Sequence, residues 1–174
     1  MKRIALISDN HGYVGEDILS HLNDKDEIWH AGDIGTLESL EPIIEKTPVF
    51  RAVYGNIDVI ETRETYPLDL VFQIEDVKVL MTHIGGYPVR YKKRTIDLLE
   101  EHKPDLYICG HSHILKVMRD KKRDIIHMNP GAYGHHGFHK IRTLLHFDIE
   151  GDVIGNLNVI ELGIRGVTNK NWKS

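Results

Sequence analysis

What most constrains this chain is a recurrence: short apolar runs that stop abruptly at small polar motifs. The motifs appear in a fixed order as Asp9-Asn10-His11, Gly32-Asp33, Gly55-Asn56-Ile57-Asp58, His83 and Gly110-His111-Ser112-His113. Four of the five follow directly on a stretch that reads as a buried strand. A chain built this way must bury several strands side by side and present polar residues where they end. In an open α/β sheet the crevice beyond the carboxyl ends of the strands is where ligands bind, so the motifs are expected to converge there.

The first third alternates strand and helix signals. Arg3 to Ser8 reads as a strand, Gly15 to Leu22 as a helix, Glu27 to His30 as a strand, Leu37 to Lys46 as a helix and Pro48 to Val53 as a strand. This β-α-β order implies parallel strands covered on both faces. Leu68 to Ile74 and Val77 to Thr82 flank the tight Glu75-Asp76 turn; a helix over about Pro88 to His102 and a buried strand over Asp105 to Cys109 follow. The last third reads as antiparallel hairpins, Ile114 to Arg119 with Asp124 to Met128, and Ile141 to Ile149 with Val153 to Leu162. Two mixed sheets packed face to face with helices outside bury all of these, giving an α/β class, four-layer α/β/β/α sandwich. No linker or repeat divides the sequence, so one domain over 1–165 and a polar tail over 166–174 are expected.

A length of 174 residues suffices to bury a core without disulfides or structural metal. Any metal is therefore expected for chemistry. A net charge of -4 disfavours long nucleic acid and anionic membrane as partners, and no apolar run is long enough to span a bilayer. The single Cys109 excludes an intrachain disulfide and, with no signal-peptide core, fits a cytoplasmic setting. Homo-oligomer formation is left open.

Asp9, His11, Asp33, Asn56, His83, His111 and His113 supply seven oxygen and nitrogen ligands, which is what two adjacent divalent ions need. Asp9 and His11 lie two apart past a strand end, as do His111 and His113, so each pair faces one crevice if the extended geometry persists. Gly32 and Gly110 leave room for close approach of the backbone. Asp33 can use both oxygens and is the natural bridge between ions about 3.5–4 Å apart. Asp9, His11 and His113 then complete one shell, and Asn56, His83 and His111 the other. Asp33, Asn56 and His83 are expected nearest the chemistry. Imidazole and carboxylate without thiolate suit Mn²⁺, Fe²⁺, Co²⁺, Ni²⁺ or Zn²⁺ better than Ca²⁺ or Mg²⁺; the choice among them depends on metal availability, and Mn²⁺ is taken as the first expectation. Two dications against two carboxylates leave about +2, which attracts a phosphoryl group, and a water bridging the metals becomes hydroxide near neutral pH. Hydrolysis of a small phosphate ester follows as the expected reaction.

With its motifs in this order, the chain resembles the calcineurin-like metallophosphoesterases and, in its small size and GNxD motif, is most similar to the YfcE type of phosphodiesterase. The resemblance covers roughly Met1 to Ile149 and implies the four-layer sandwich. It also implies Asp9, His11, Asp33 and His113 at one metal and Asp33, Asn56, His83 and His111 at the other. Many members of the wider superfamily read GNH[DE], with the His protonating the leaving oxygen. This chain has Ile57 instead, which implies a preference for activated esters, since a lost general acid forfeits about 10²–10⁴-fold on poor leaving groups. Asp58 is expected to accept a hydrogen bond from a ligand histidine. In Asn129-Pro130-Gly131-Ala132, Ala132 lacks the hydroxyl that often follows this turn, so no chemistry is assigned there.

Taken singly, Asp33 reads as a cap, Asn56-Ile57-Asp58 as an Asx turn and His83 as a strand-end histidine, but no such reading explains the other motifs. His21 and His102 read as solvated, and His30 and His146 are unassigned. Gly134 to His139 is read first as a hairpin loop, then as a substrate contact, and last as a third metal site. The alternative to an enzyme is a non-catalytic, metal-binding interaction scaffold of the same fold. Seven intact ligand positions favour the enzyme.

Overall fold

The computed structural model describes residues 1–167, so most of the polar tail expected over 166–174 lies outside the described residues. The elements run β1 (Lys2–Ile7), α1 (Glu16–Leu22), β2 (Glu27–His30), a 3₁₀ turn (Leu37–Leu40), α2 (Glu41–Ile44), β3 (Phe50–Ala52), α3 (Ile60–Thr65) and β4 (Asp69–Ile74). They continue with β5 (Val77–Thr82), α4 (Lys93–His102), β6 (Leu106–Ile108), β7 (Leu115–Asp120), β8 (Ile125–Pro130), β9 (Ile141–Glu150) and β10 (Val153–Ile164). One sheet has the order β10-β9-β1-β2-β3 and the other β4-β5-β6-β8-β7. Both are mixed: β1, β2 and β3 run parallel in one, with β3 at its edge, and β5, β6 and β8 in the other, while β9, β10, β4 and β7 join by antiparallel pairing.

Strand alternation builds the layers. On β1, Ile4 and Leu6 enter a core with Trp29, Val79, Met81, Leu106, Ile108 and Phe147, which lies between the sheets. Ala5 and Ile7 point the other way, to Ile18, Leu22, Leu40 and Ile43 on the helical side. In the second sheet Leu80 and Tyr107 turn outward to Leu99 of α4. Both faces of each central strand are therefore apolar, which is why these strands read as near-continuous hydrophobic runs. Helices cover the outer faces, as expected, and each fully buried aliphatic side chain contributes roughly 1.5–3 kcal/mol.

Three local readings need correction. The helix expected over Leu37 to Lys46 is a 3₁₀ turn followed by α2, because Pro42 lacks an N–H and sits in the first turn of a new helix. The helix expected from Pro88 begins at Lys93; before it Gly86 and Val89 take positive φ, and the Arg90 N–H donates to Tyr87 O at 2.8 Å. The short α3 was not anticipated. It buries only Thr62, so it carries no apolar periodicity to read.

Candidate metal centre

The candidate ligands sit past the carboxyl ends of the parallel strands: Asp9 after β1, Asp33 after β2, Asn56 after β3, His83 after β5, and His111 and His113 after β6. The two sheets face each other, so the loops meet. Hydrogen bonds continue the ladder past the strand ends, with Asp9 N–H donating to Gly32 O at 3.0 Å and His11 N–H to Asp33 O at 3.1 Å. On the other sheet the Gly110 N–H donates to His83 O at 3.0 Å. The His111 N–H then crosses to Asp9 Oδ2 at 3.1 Å and ties the sheets together.

The paired ligands do not converge through persisting extended backbone. Asp9 (φ 56°), His11 (φ 49°), Asp33 (φ 54°), His111 (φ 66°) and His113 (φ 57°) all occupy the left-handed region. Each such non-glycine residue costs of order 1 kcal/mol, and such strain concentrates at functional sites. Nor do the neighbouring glycines make room for backbone alone. A Cβ on Gly32 would lie 2.7 Å from His83 Nδ1, and one on Gly110 would lie 2.8 Å from Asp9 Oδ2, so these positions clear space for ligand side chains.

Two donor groups result. One atom each from Asp9, His11, Asp33 and His113 lie within 4.8 Å of one another, as do one each from Asp33, His83 and His111. Asp33 belongs to both. His113 Nε2 is 3.1 Å from Asp9 Oδ1, His83 Nε2 is 3.1 Å from Asp33 Oδ1, and His11 Nε2 is 3.8 Å from Asp33 Oδ2. Asn56 is exposed beside the second group; on its flank the Ile57 N–H donates to Asp33 Oδ1 at 3.1 Å.

These side chains fit divalent metal. His83 Nδ1 lies 2.7 Å from Ala31 O, an acceptor, so Nδ1 carries the proton. Nε2 then directs a lone pair at a carboxylate oxygen, and two acceptors 3.1 Å apart require a cation between them. His83 Nε2 and Asp9 Oδ1 are both buried with no hydrogen-bond partner. In the metal-free protein a proton can occupy this position. Burial opposes charge on His83, but Asp33 and Asp9 outweigh it and raise its pKa. Burial likewise opposes charge on Asp33, yet His83 and the Ile57 amide hold its carboxyl below the usual range. Burial lowers the pKa of His11 and His111 despite the nearby carboxylates, favouring the neutral form that binds metal.

Asp58 departs from expectation. Its two oxygens accept the Gly35 N–H at 2.8 Å and the Gly55 N–H at 2.6 Å, in place of a ligand histidine. It therefore clamps the Asp33 loop to the Asn56 loop. Asp58→Asn, which must turn an NH₂ toward one of these amides, is expected to cost about 1–3 kcal/mol in urea unfolding. A change under about 0.5 kcal/mol, typical of surface sites, would refute the clamp.

Several contributors were not assigned from sequence. The Ser8 hydroxyl donates to Asp9 Oδ2 at 2.5 Å. Buried His30 joins Asn10 Oδ1 at 3.0 Å and accepts the Gly32 N–H at 3.1 Å, fixing two ligand loops. Asn129, in the turn given no chemistry, donates to Gly110 O at 2.8 Å and Ser112 Oγ at 3.1 Å and so braces the His111 loop. The Gly134 to His139 segment lies against the first donor group, with the His136 ring 4.8 Å from His11 and the His139 ring 5.2 Å from His113.

Two facing mixed sheets whose loops gather carboxylates and imidazoles into adjoining clusters define a class of metal-dependent phosphoesterase fold. The chain belongs to the calcineurin-like phosphoesterase superfamily, whose domain model matches residues 1–152. It is 30% identical over 134 residues to a probable metallophosphoesterase of Methanothermobacter thermautotrophicus, covering 74% of this chain and 76% of that one. An archaeal phosphodiesterase structure superposes with TM-score 0.64 at 20% identity, over 91% of this chain and 99% of that one. Vps29 of Entamoeba histolytica, complexed with zinc, superposes with TM-score 0.70 at 14% identity, over 92% of this chain and 99% of that one. At such identities these two structures share the fold.

Proposed function

We propose that the protein is a dinuclear metal-dependent phosphodiesterase acting on a small phosphate ester, with Asp9, His11, Asp33 and His113 holding one ion and Asp33, Asn56, His83 and His111 the other. The observation that carries this reading is that Asp33 belongs to both donor groups, with the buried His83 Nε2, which has no hydrogen-bond partner, 3.1 Å from its Oδ1. Two divalent ions supply Lewis acidity toward the phosphoryl oxygens and an activated water as nucleophile.

The chain's own residues do the rest. Ala31 O fixes the His83 tautomer, and the Ser8 hydroxyl and His111 amide orient Asp9. The Ile57 amide fixes Asp33. With an apolar side chain at 57, no imidazole is offered there to the leaving oxygen, so aryl esters should react faster than alkyl esters. The oxygen and nitrogen donor set admits Mn²⁺, Fe²⁺, Co²⁺, Ni²⁺ and Zn²⁺, and Mn²⁺ is tested first.

Chelator-stripped protein is expected to hydrolyse bis(p-nitrophenyl) phosphate only after Mn²⁺ is added, and His83→Ala should abolish the restored rate. No turnover with Mn²⁺, Ni²⁺, Co²⁺ or Zn²⁺ would sink the reading and favour a metal-binding interaction scaffold.

A further inference from the structure

Two grooves open beside the second donor group, and their walls differ in chemistry. The larger, about 450 Å³, is lined by Tyr54, Asn56, Arg63, Leu68, Lys92 and Arg94, with Ile84 on its wall. The smaller, about 310 Å³, runs past His111 to Tyr87, Lys116 and His127. Ile84 and Lys92 line both, so the grooves meet there. Asn56 belongs to one groove and His111 to the other, and both are assigned to the same ion. A phosphorus atom at that ion therefore has a separate channel for each of two ester arms.

The Tyr54 groove specifies what its arm should be. Tyr54, Leu68 and Ile84 give it apolar surface suited to a planar ring. Of its cations, Arg63 donates to Asp58 O at 2.7 Å and Asn56 O at 2.9 Å and lies over the Tyr54 ring at 5.4 Å, so it is structural. Arg94 is paired with Asp69. Lys92 is exposed, makes no ion pair among the described residues, and stands where the grooves join. Its position is fixed by its own backbone, since the Lys92 N–H donates to Gly85 O at 3.3 Å and the residue caps α4.

We propose that the preferred substrate is a phosphodiester whose arm in the Tyr54 groove is a planar ring bearing a further anionic group, read by Lys92. This rests on the phosphodiesterase reading above and names the substrate class for that site. The ring gains from apolar burial. The second negative charge gains a charge-assisted hydrogen bond, and the excess positive charge of the loaded centre attracts it further.

The test uses three p-nitrophenyl phosphodiesters that share a leaving group and differ in the retained arm: methyl, phenyl and 4-carboxyphenyl. With Mn²⁺-loaded protein, kcat/KM should rise about tenfold from methyl to phenyl. It should rise again by about tenfold from phenyl to 4-carboxyphenyl. In Lys92→Gln the second ratio should fall to near one while the first persists. Equal rates on all three esters, or a carboxylate preference unchanged in Lys92→Gln, would overturn this inference and leave the phosphodiesterase reading standing. No turnover of any of the three would overturn both.

Discussion

Asp33→Asn is expected to strip metal from both positions together and to lower diester turnover by about 10³-fold or more, as loss of a preorganised electrostatic group at the reacting centre does. The reason is placement. Asp33 Oδ1 lies 3.1 Å from His83 Nε2 and Oδ2 lies 3.8 Å from His11 Nε2, so one carboxylate serves both donor groups. Asparagine keeps the size but loses the charge. Its NH₂ must also face either the Ile57 N–H, which now donates to Oδ1, or the metal. Asp9→Asn should behave differently, weakening mainly the group that contains His11 and His113. Metal content per chain after desalting, measured beside kcat/KM for both variants, separates the cases. Equal loss of metal from the two variants would refute the bridging assignment.

The sequence suggested Asp33 as the bridge because a carboxylate can use both oxygens, and the fold places it in both donor groups. The strands were readable too. Ile4, Leu6, Val79 and Met81 alternate with Ala5, Ile7 and Leu80 between two apolar layers, so the runs are hydrophobic throughout. What could not be read were features set by partners far along the chain. Asn129 braces Gly110 from the neighbouring strand β8, and Asp58 clamps Gly35 across 23 residues. Left-handed φ at Asp9, His11, Asp33, His111 and His113 was not readable either: aspartate and histidine adopt it more often than other non-glycine residues, but both also occur in extended backbone, so residue type alone does not assign it. His30 precedes the site closely but alternates with Trp29, so the sequence leaves it unassigned. Its role appears only when β1 and β2 pair and bring Asn10 to its ring.

The buried histidines carry the second large expectation, a steep loss of stability on acidification. Burial pushes the pKa of His30 down to about 3 and that of His127 down to about 4. In the unfolded chain each titrates near 6.5, so below that pH the unfolded state takes up protons that the folded state refuses. The stability these residues contribute is complete above pH about 6.5 and falls as the pH approaches the folded values, by roughly 1.4 kcal/mol per unit for each group. By pH 4 the two together remove of order 5 kcal/mol from a total that is about 5–15 kcal/mol for a domain of this kind. His83 does not mask the fall. Its folded pKa is raised, so its contribution is complete below 6.5 and is lost only as pH rises through the raised value. Asp33 adds to the fall at the acid end, since a depressed carboxylate loses its contribution as pH drops through the carboxylate range. Urea unfolding in chelator at pH 8, 7, 6, 5 and 4 should show a plateau and then a descent. A profile flat to pH 4.5 would contradict it. His127→Phe keeps a ring against Tyr107, whose centroid lies 5.4 Å from that of His127, and removes the titrating group whose Nδ1 is buried without a partner. Its curve should descend less steeply between pH 6.5 and 4, since one depressed imidazole is removed while those of His30 and His146 remain to take up protons.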